Sequence, residues 1–200
     1  MTIKIDYYVS LFSPWTFLGH QRISDLAQKY HADLNIIPVN FSKVFSETGG
    51  LPLPKRHPVR QAYRMQELIR WTRELGCDMN LEPKHFPVDQ TTAVLMVIAA
   101  KEQGLDAVKL AGAFMAGVWM DEMNLADADD CVAIANRAGM DGADLLSKSS
   151  NPDYMEQYLT NEKKAVAEGV FGAPSYVING EIFWGQDRLF FVEKKLKAEA

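Results

Sequence analysis

The sequence predicts an α/β protein, a mixed sheet of about four strands interrupted by a large all-helical insertion. Three observations carry that prediction. A strand, a helix and a second strand follow one another within the first 40 residues. Apolar spacing of three and four then dominates to about Glu168. Finally, Asn179-Gly180 stands between two alternating runs, the strongest short hairpin signal.

The first strand is Ile3-Lys4-Ile5-Asp6-Tyr7-Tyr8-Val9, rich in β-branched and aromatic residues. Phe17, Leu18, Ile23, Leu26 and Ala27 recur at helical spacing as far as Tyr30 and His31. Leu34-Asn35-Ile36-Ile37-Pro38-Val39 is the second strand, parallel to the first because a right-handed helical crossover joins them. From Asn40 the pattern becomes a loop marked by Gly49, Gly50, Pro52, Pro54 and Pro58. Helical segments follow over 61–75, 91–103, 107–120, 126–138, 143–146 and 151–168, with Gly76 and Gly104 as terminators and Asp127 and Asn151 as N-caps. Ser175 to Ile178 and Glu181 to Trp184 form a hairpin, since both central residues of a type I′ turn need positive φ. A last helix runs from Arg188 through Leu196, with Gln186 or Asp187 as its cap. The order is a thioredoxin-like plan: residues 1–40 and 169–200 make the thioredoxin-like domain and 41–168 the inserted helical subdomain.

Composition removes several functions. A net charge of -5 offers no basic surface for a phosphate backbone, so nucleic acid is not expected as a partner. No apolar run approaches the roughly 20 residues that span a bilayer. Lys4 and Asp6 break the first apolar segment, so no secretory leader is read and a cytoplasmic protein without membrane attachment is expected. Cys77 and Cys131 lie far apart without a Cys-x-x-Cys pair, and His31, His57 and His85 have no ligand spacing; the expectation is buried structural thiols and no metal site. His20, Phe114, Met115 and Trp119 read as structural.

Ser13-Pro14-Trp15 falls at the first strand-to-helix turn, where thioredoxin-like folds carry a redox cysteine. Ser13 is an N-cap and Pro14 an N1 residue. Its hydroxyl stands where a helix presents free N–H groups and a positive dipole end, a place suited to an anion such as a thiolate. Capping and thiolate binding are expected to compete for that one oxygen. Ala173-Pro174 opens the third strand, either as a rigid junction or as a cis-proline turn.

Phe12-Ser13-Pro14-Trp15-Thr16-Phe17-Leu18, Arg70-Trp71, Val170-Phe171-Gly172-Ala173-Pro174 and Trp184-Gly185-Gln186-Asp187-Arg188-Leu189 together resemble the 2-hydroxychromene-2-carboxylate isomerase family, itself related to kappa-class glutathione transferases and DsbA-like thioredoxin folds. The resemblance covers nearly the whole chain. It implies a glutathione-dependent isomerase of an aromatic pyruvate in which Ser13 is catalytic and stabilises the glutathione thiolate. By the same likeness Ala173 and Pro174 hold the cysteinyl part of glutathione, while Asp187 holds its γ-glutamyl amino group and Arg188 lies beside it. Arg60, near the place of a family lysine, is implied to meet the substrate carboxylate, and Trp15 to border the substrate. A homodimer is implied as well. The alternatives are a kappa-like transferase that leaves sulfur on an electrophile, and a non-catalytic glutathione-binding protein.

Two departures bear on the substrate. Gly50 and Asp89 stand where many relatives have asparagine, so those contacts are not carried over. Trp15 and Phe17 replace commoner tyrosines, which removes any phenolic contact there.

Overall fold

The computed structural model describes residues 2–199. Positions 1 and 200, the outermost ends of the two thioredoxin-like segments read from the sequence, lie outside them.

Four strands form one mixed sheet in the order β2-β1-β3-β4. β1 (Lys4–Val9) pairs in parallel with β2 (Asp33–Pro38), as a helical crossover requires. β3 (Ser175–Ile178) runs antiparallel to β1 and forms the hairpin with β4 (Glu181–Trp184). Asn179 and Gly180 have φ of 51° and 81°, the left-handed values the turn demands.

Strand alternation divides the core between two faces. On one, Ile5, Tyr7, Val9, Tyr176 and Ile178 meet α1 (Pro14–Lys29) and α9 (Leu189–Glu199) in a cluster continuous with the insertion. That continuity depends on α4 (Thr91–Glu102), apolar on nearly every side and therefore central, and α5 (Ala107–Trp119). On the other face Tyr8, Ile37, Val39 and Val177 are covered by α2 (Phe41–Thr48) and α8 (Pro152–Ala167).

The structure corrects three local expectations. Residues 41–48 are a helix, not loop: Asn40 Oδ1 accepts from the Ser42 amide at 3.1 Å, and Phe41 and Val44 supply a short apolar side for the sheet. α3 (Pro58–Glu74) begins at the proline, its first amides partly met by His57 Nδ1, which accepts from the Val59 N–H at 3.3 Å. Neither Gln186 nor Asp187 caps α9 through its side chain; both lie in a 3-10 turn, Gln186–Arg188, that leads into it. The remaining helices are α6 (Ala128–Arg137) and α7 (Gly142–Lys148). Among the described residues no helix is long and apolar enough to cross a membrane, and no group of three potential metal ligands occurs.

Candidate active site

Ser13 closes the turn between β1 and α1. Its amide donates to Ser10 O at 3.1 Å, and its Oγ accepts from the Thr16 amide at 3.3 Å. A hydroxyl has one donor and two acceptor lone pairs. Capping uses an acceptor position, so the proton stays free for a ligand; the two roles expected to compete are compatible. The turn itself is fastened by Gln90, a buried residue at the start of α4. Its Oε1 accepts from the Leu11 amide at 2.7 Å and Ser10 Oγ at 3.1 Å, while its Nε2 donates to Val39 O at 3.3 Å and Tyr158 Oη at 3.1 Å. Every position of one buried amide is thereby spent on joining the segments that follow β1 and β2 to α8 around the serine.

The Ala173-Pro174 bond is cis, and so is Phe86-Pro87, which the sequence did not single out. The half-buried Ala173 uses neither its N–H nor its carbonyl in a hydrogen bond among the described residues, an open edge beside a strand. Pro174 O accepts from the Gly185 amide at 2.9 Å, which brings the 185–188 loop against this edge. Gly185 has φ of 107°, and a Cβ there would fall 2.5 Å from Asp187 Oδ1, so glycine is required if the carboxylate is to stand where it does. Arg22 of α1 holds the same loop: its Nη1 donates to Gln186 Oε1 at 2.6 Å. The Asp187 and Arg188 side chains pair at 2.7 Å at the surface, where such a pair contributes little and exchanges readily.

These segments border two adjoining clefts. The larger, about 560 Å³, brings Ala173, Gly185, Asp187 and Arg188 opposite Arg60 of α3. The narrower, about 300 Å³, has Ser13 with Phe12, Phe41, Phe45 and Phe86. Trp15, Ala173, Arg56 and Arg64 belong to both and form the partition. Phe86 also packs on the buried Trp119, with ring centroids 5.1 Å apart, so the core stiffens that wall. All the residues expected from the sequence are therefore gathered here, with Pro174 buried just behind Ala173.

Arg56, Arg64 and Gln90 were missed. Arg60 and Arg64 are one helical turn apart on α3, and Glu67 and Trp71 continue the same cleft-facing stripe; that spacing was the available signal. Arg64 is half-buried, and desolvation, followed by repulsion from Arg56, draws its guanidinium down to about 10. Among the described residues none of Arg56, Arg60 and Arg64 forms an ion pair.

The other candidates are structural. His20 is buried; Val108 O can only accept, so Nε2 carries the proton at 3.0 Å and Nδ1 accepts from Tyr7 Oη at 3.2 Å. Burial holds its pKa near 4. Cys131 is buried, its thiol pushed up to about 12 by desolvation and by Asp130 and Asp127, whereas Cys77 is only half-buried; neither borders a cleft. The exposed Asp89 accepts from the Thr91 amide at 2.9 Å before α4, and Gly50 lies where a Cβ would strike the Phe45 ring, so one makes a local hydrogen bond and the other allows close packing.

Comparison with known proteins matches this architecture. Residues 4–197 fit the family model described as DSBA-like thioredoxin domain. A 2-hydroxychromene-2-carboxylate isomerase from Sphingobium xenophagum is 25% identical over 197 residues, covering 98% of this chain and 99% of that one. A protein of the same name from Pseudomonas putida is 26% identical, covering 96% and 93%. A solved 2-hydroxychromene-2-carboxylate isomerase superposes with a TM-score of 0.83 at 23% identity, over 98% of this chain and 95% of that one. A fit from the first strand to the last helix, with the insertion in place and the serine turn facing the proline edge, makes this chain a member of the DSBA-like thioredoxin domain family.

Proposed function

We propose that the protein is a glutathione-dependent isomerase of 2-hydroxychromene-2-carboxylate or a closely related aromatic pyruvate. One observation carries the reading: a hydroxyl with a free proton, an unpaired backbone edge and an exposed carboxylate converge on two clefts that share a wall. The residues present fit glutathione. Ala173 can pair with its cysteinyl unit as an added strand, and Asp187 can receive its amino group with Arg188 beside it. Ser13 donates to its sulfur, and the N-terminus of α1 favours the anion there. When bound, glutathione supplies a nucleophilic thiolate that is returned each turnover, which makes it a cofactor and not a consumed reagent.

The chain's own residues do the rest. Arg60, exposed at the larger cleft, meets the incoming carboxylate, and Trp15 borders the aromatic body. The aromatic walls of the narrower cleft exclude water from the reacting centre. The same reading carries a cytoplasmic homodimer, checked by light scattering.

The test is spectrophotometric isomerisation of 2-hydroxychromene-2-carboxylate with and without glutathione, with mass spectrometry of the products. Glutathione-dependent conversion without a glutathione adduct is expected. Accumulating adduct would instead make the protein a transferase, and conversion that ignores glutathione would refute the cofactor assignment.

A further inference from the structure

The partition between the clefts holds two cations that form no ion pair among the described residues. Arg64 lines both spaces, its guanidinium carbon 5.7 Å from the centre of the Phe86 ring. Arg56 also lines both, and its Nε donates to Leu51 O at 2.7 Å, which fixes the fork and leaves its terminal nitrogens unpaired among the described residues. Both are half-buried, whereas Arg60 is exposed and borders only the larger cleft. Removing cations from water beside each other is unfavourable unless an anion completes the site. The depressed Arg64 pKa, caused by burial and by Arg56, agrees with that geometry.

We propose that Arg64, with Arg56 beside it, clamps the carboxylate of an aromatic acid seated in the narrower cleft, and so makes this protein select anionic acceptors over neutral ones. The assignment rests on the function proposed above only in taking this cleft as the acceptor's. A volume of about 300 Å³ walled by Phe12, Phe41, Phe45 and Phe86 suits a flat aromatic body. A guanidinium fork at its edge suits a planar carboxylate. Glutathione also carries carboxylates, but Asp187 and Arg188, proposed to hold its γ-glutamyl end, border the larger cleft and not this one, where Ser13 is proposed to meet only its sulfur. Arg60 then captures at the mouth what Arg64 and Arg56 seat inside.

Calorimetric titration of trans-cinnamate, trans-cinnamamide and glutathione into the wild type and its variants decides the matter without any turnover. The wild type should bind cinnamate more tightly than the isosteric amide. Arg64→Gln should weaken cinnamate by about tenfold to a hundredfold and leave cinnamamide and glutathione within about twofold, the range expected for losing a hydrogen bond to a charged group. Arg64→Lys should recover only part, since an ammonium lacks the planar fork. Arg56→Gln serves as an independent second variant should Arg64→Gln fail to fold. Equal wild-type affinity for acid and amide would overturn the proposal. So would a variant that weakens acid and amide alike, which marks packing, or one that weakens glutathione alone, which moves the clamp to the cofactor. Failure of the isomerisation assay would sink the proposed reaction and leave this binding result standing.

Discussion

Ser13 serves its helix with a lone pair and, in the proposed function, a ligand with its proton, and these two services have separate magnitudes. Ser13→Ala should cost about 1 kcal/mol of stability for the lost cap. Turnover should fall by about a hundredfold or more if the hydroxyl stabilises developing charge, as for one lost oxyanion donor. Parallel measurement of kcat/KM and of denaturant unfolding separates the two effects; an active, less stable variant would reduce Ser13 to a cap. Its place was legible because Ser-Pro after a strand is a strong local signal, as are Ala173-Pro174 and Gly185-Gln186-Asp187. Arg56 and Arg64 were not, because a cation in the polar run just before α3 or within its first turns looks solvated until another segment covers it. Gln90 was hidden for a similar reason: four partners from the segments that follow β1 and β2 and from α8 give it meaning, and none is its neighbour in sequence.

Elements show the same division between local and distant causes. The hairpin was readable from Asn179-Gly180, whereas α2 was lost among glycines and prolines because its apolar side is short and its cover is the sheet. α4 has the opposite character: its N-terminal residue reaches out to build the serine turn. Gln90→Leu should therefore act at two levels. Stranding the buried Leu11 amide and Ser10 hydroxyl should cost about 2–4 kcal/mol, roughly one to two unmade hydrogen bonds. Because the turn then loosens, kcat should drop while the affinity for glutathione, which the proposed function places at Ala173 and Asp187, stays nearly constant. Equal losses in kcat and affinity would argue against a positioning role.

At the scale of the molecule, one core runs from the sheet into the insertion, and His20 sits within it as a neutral group. Its pKa is about 4 when folded and near 6.5 when not, so the unfolded chain takes up the proton first as pH falls. Stability is therefore full above about 6.5 and declines toward pH 4 by up to about 1.4 kcal/mol per unit. Urea unfolding at a series of pH values should show this slope in the wild type and a shallower one in His20→Phe, whose overall stability is lower because Tyr7 Oη loses its acceptor. Identical slopes would remove His20 as the cause. The tryptophans are distributed so that the protein supplies its own optical probes. Trp15, Trp71 and Trp184 border the larger cleft, while Trp119 is sealed in the core. Emission from the first group reports occupancy of the site, and emission from Trp119 reports exposure of the interior. Trp119→Phe should keep the ligand-induced change and diminish the unfolding signal, which would let binding and melting be followed in one cuvette without a label.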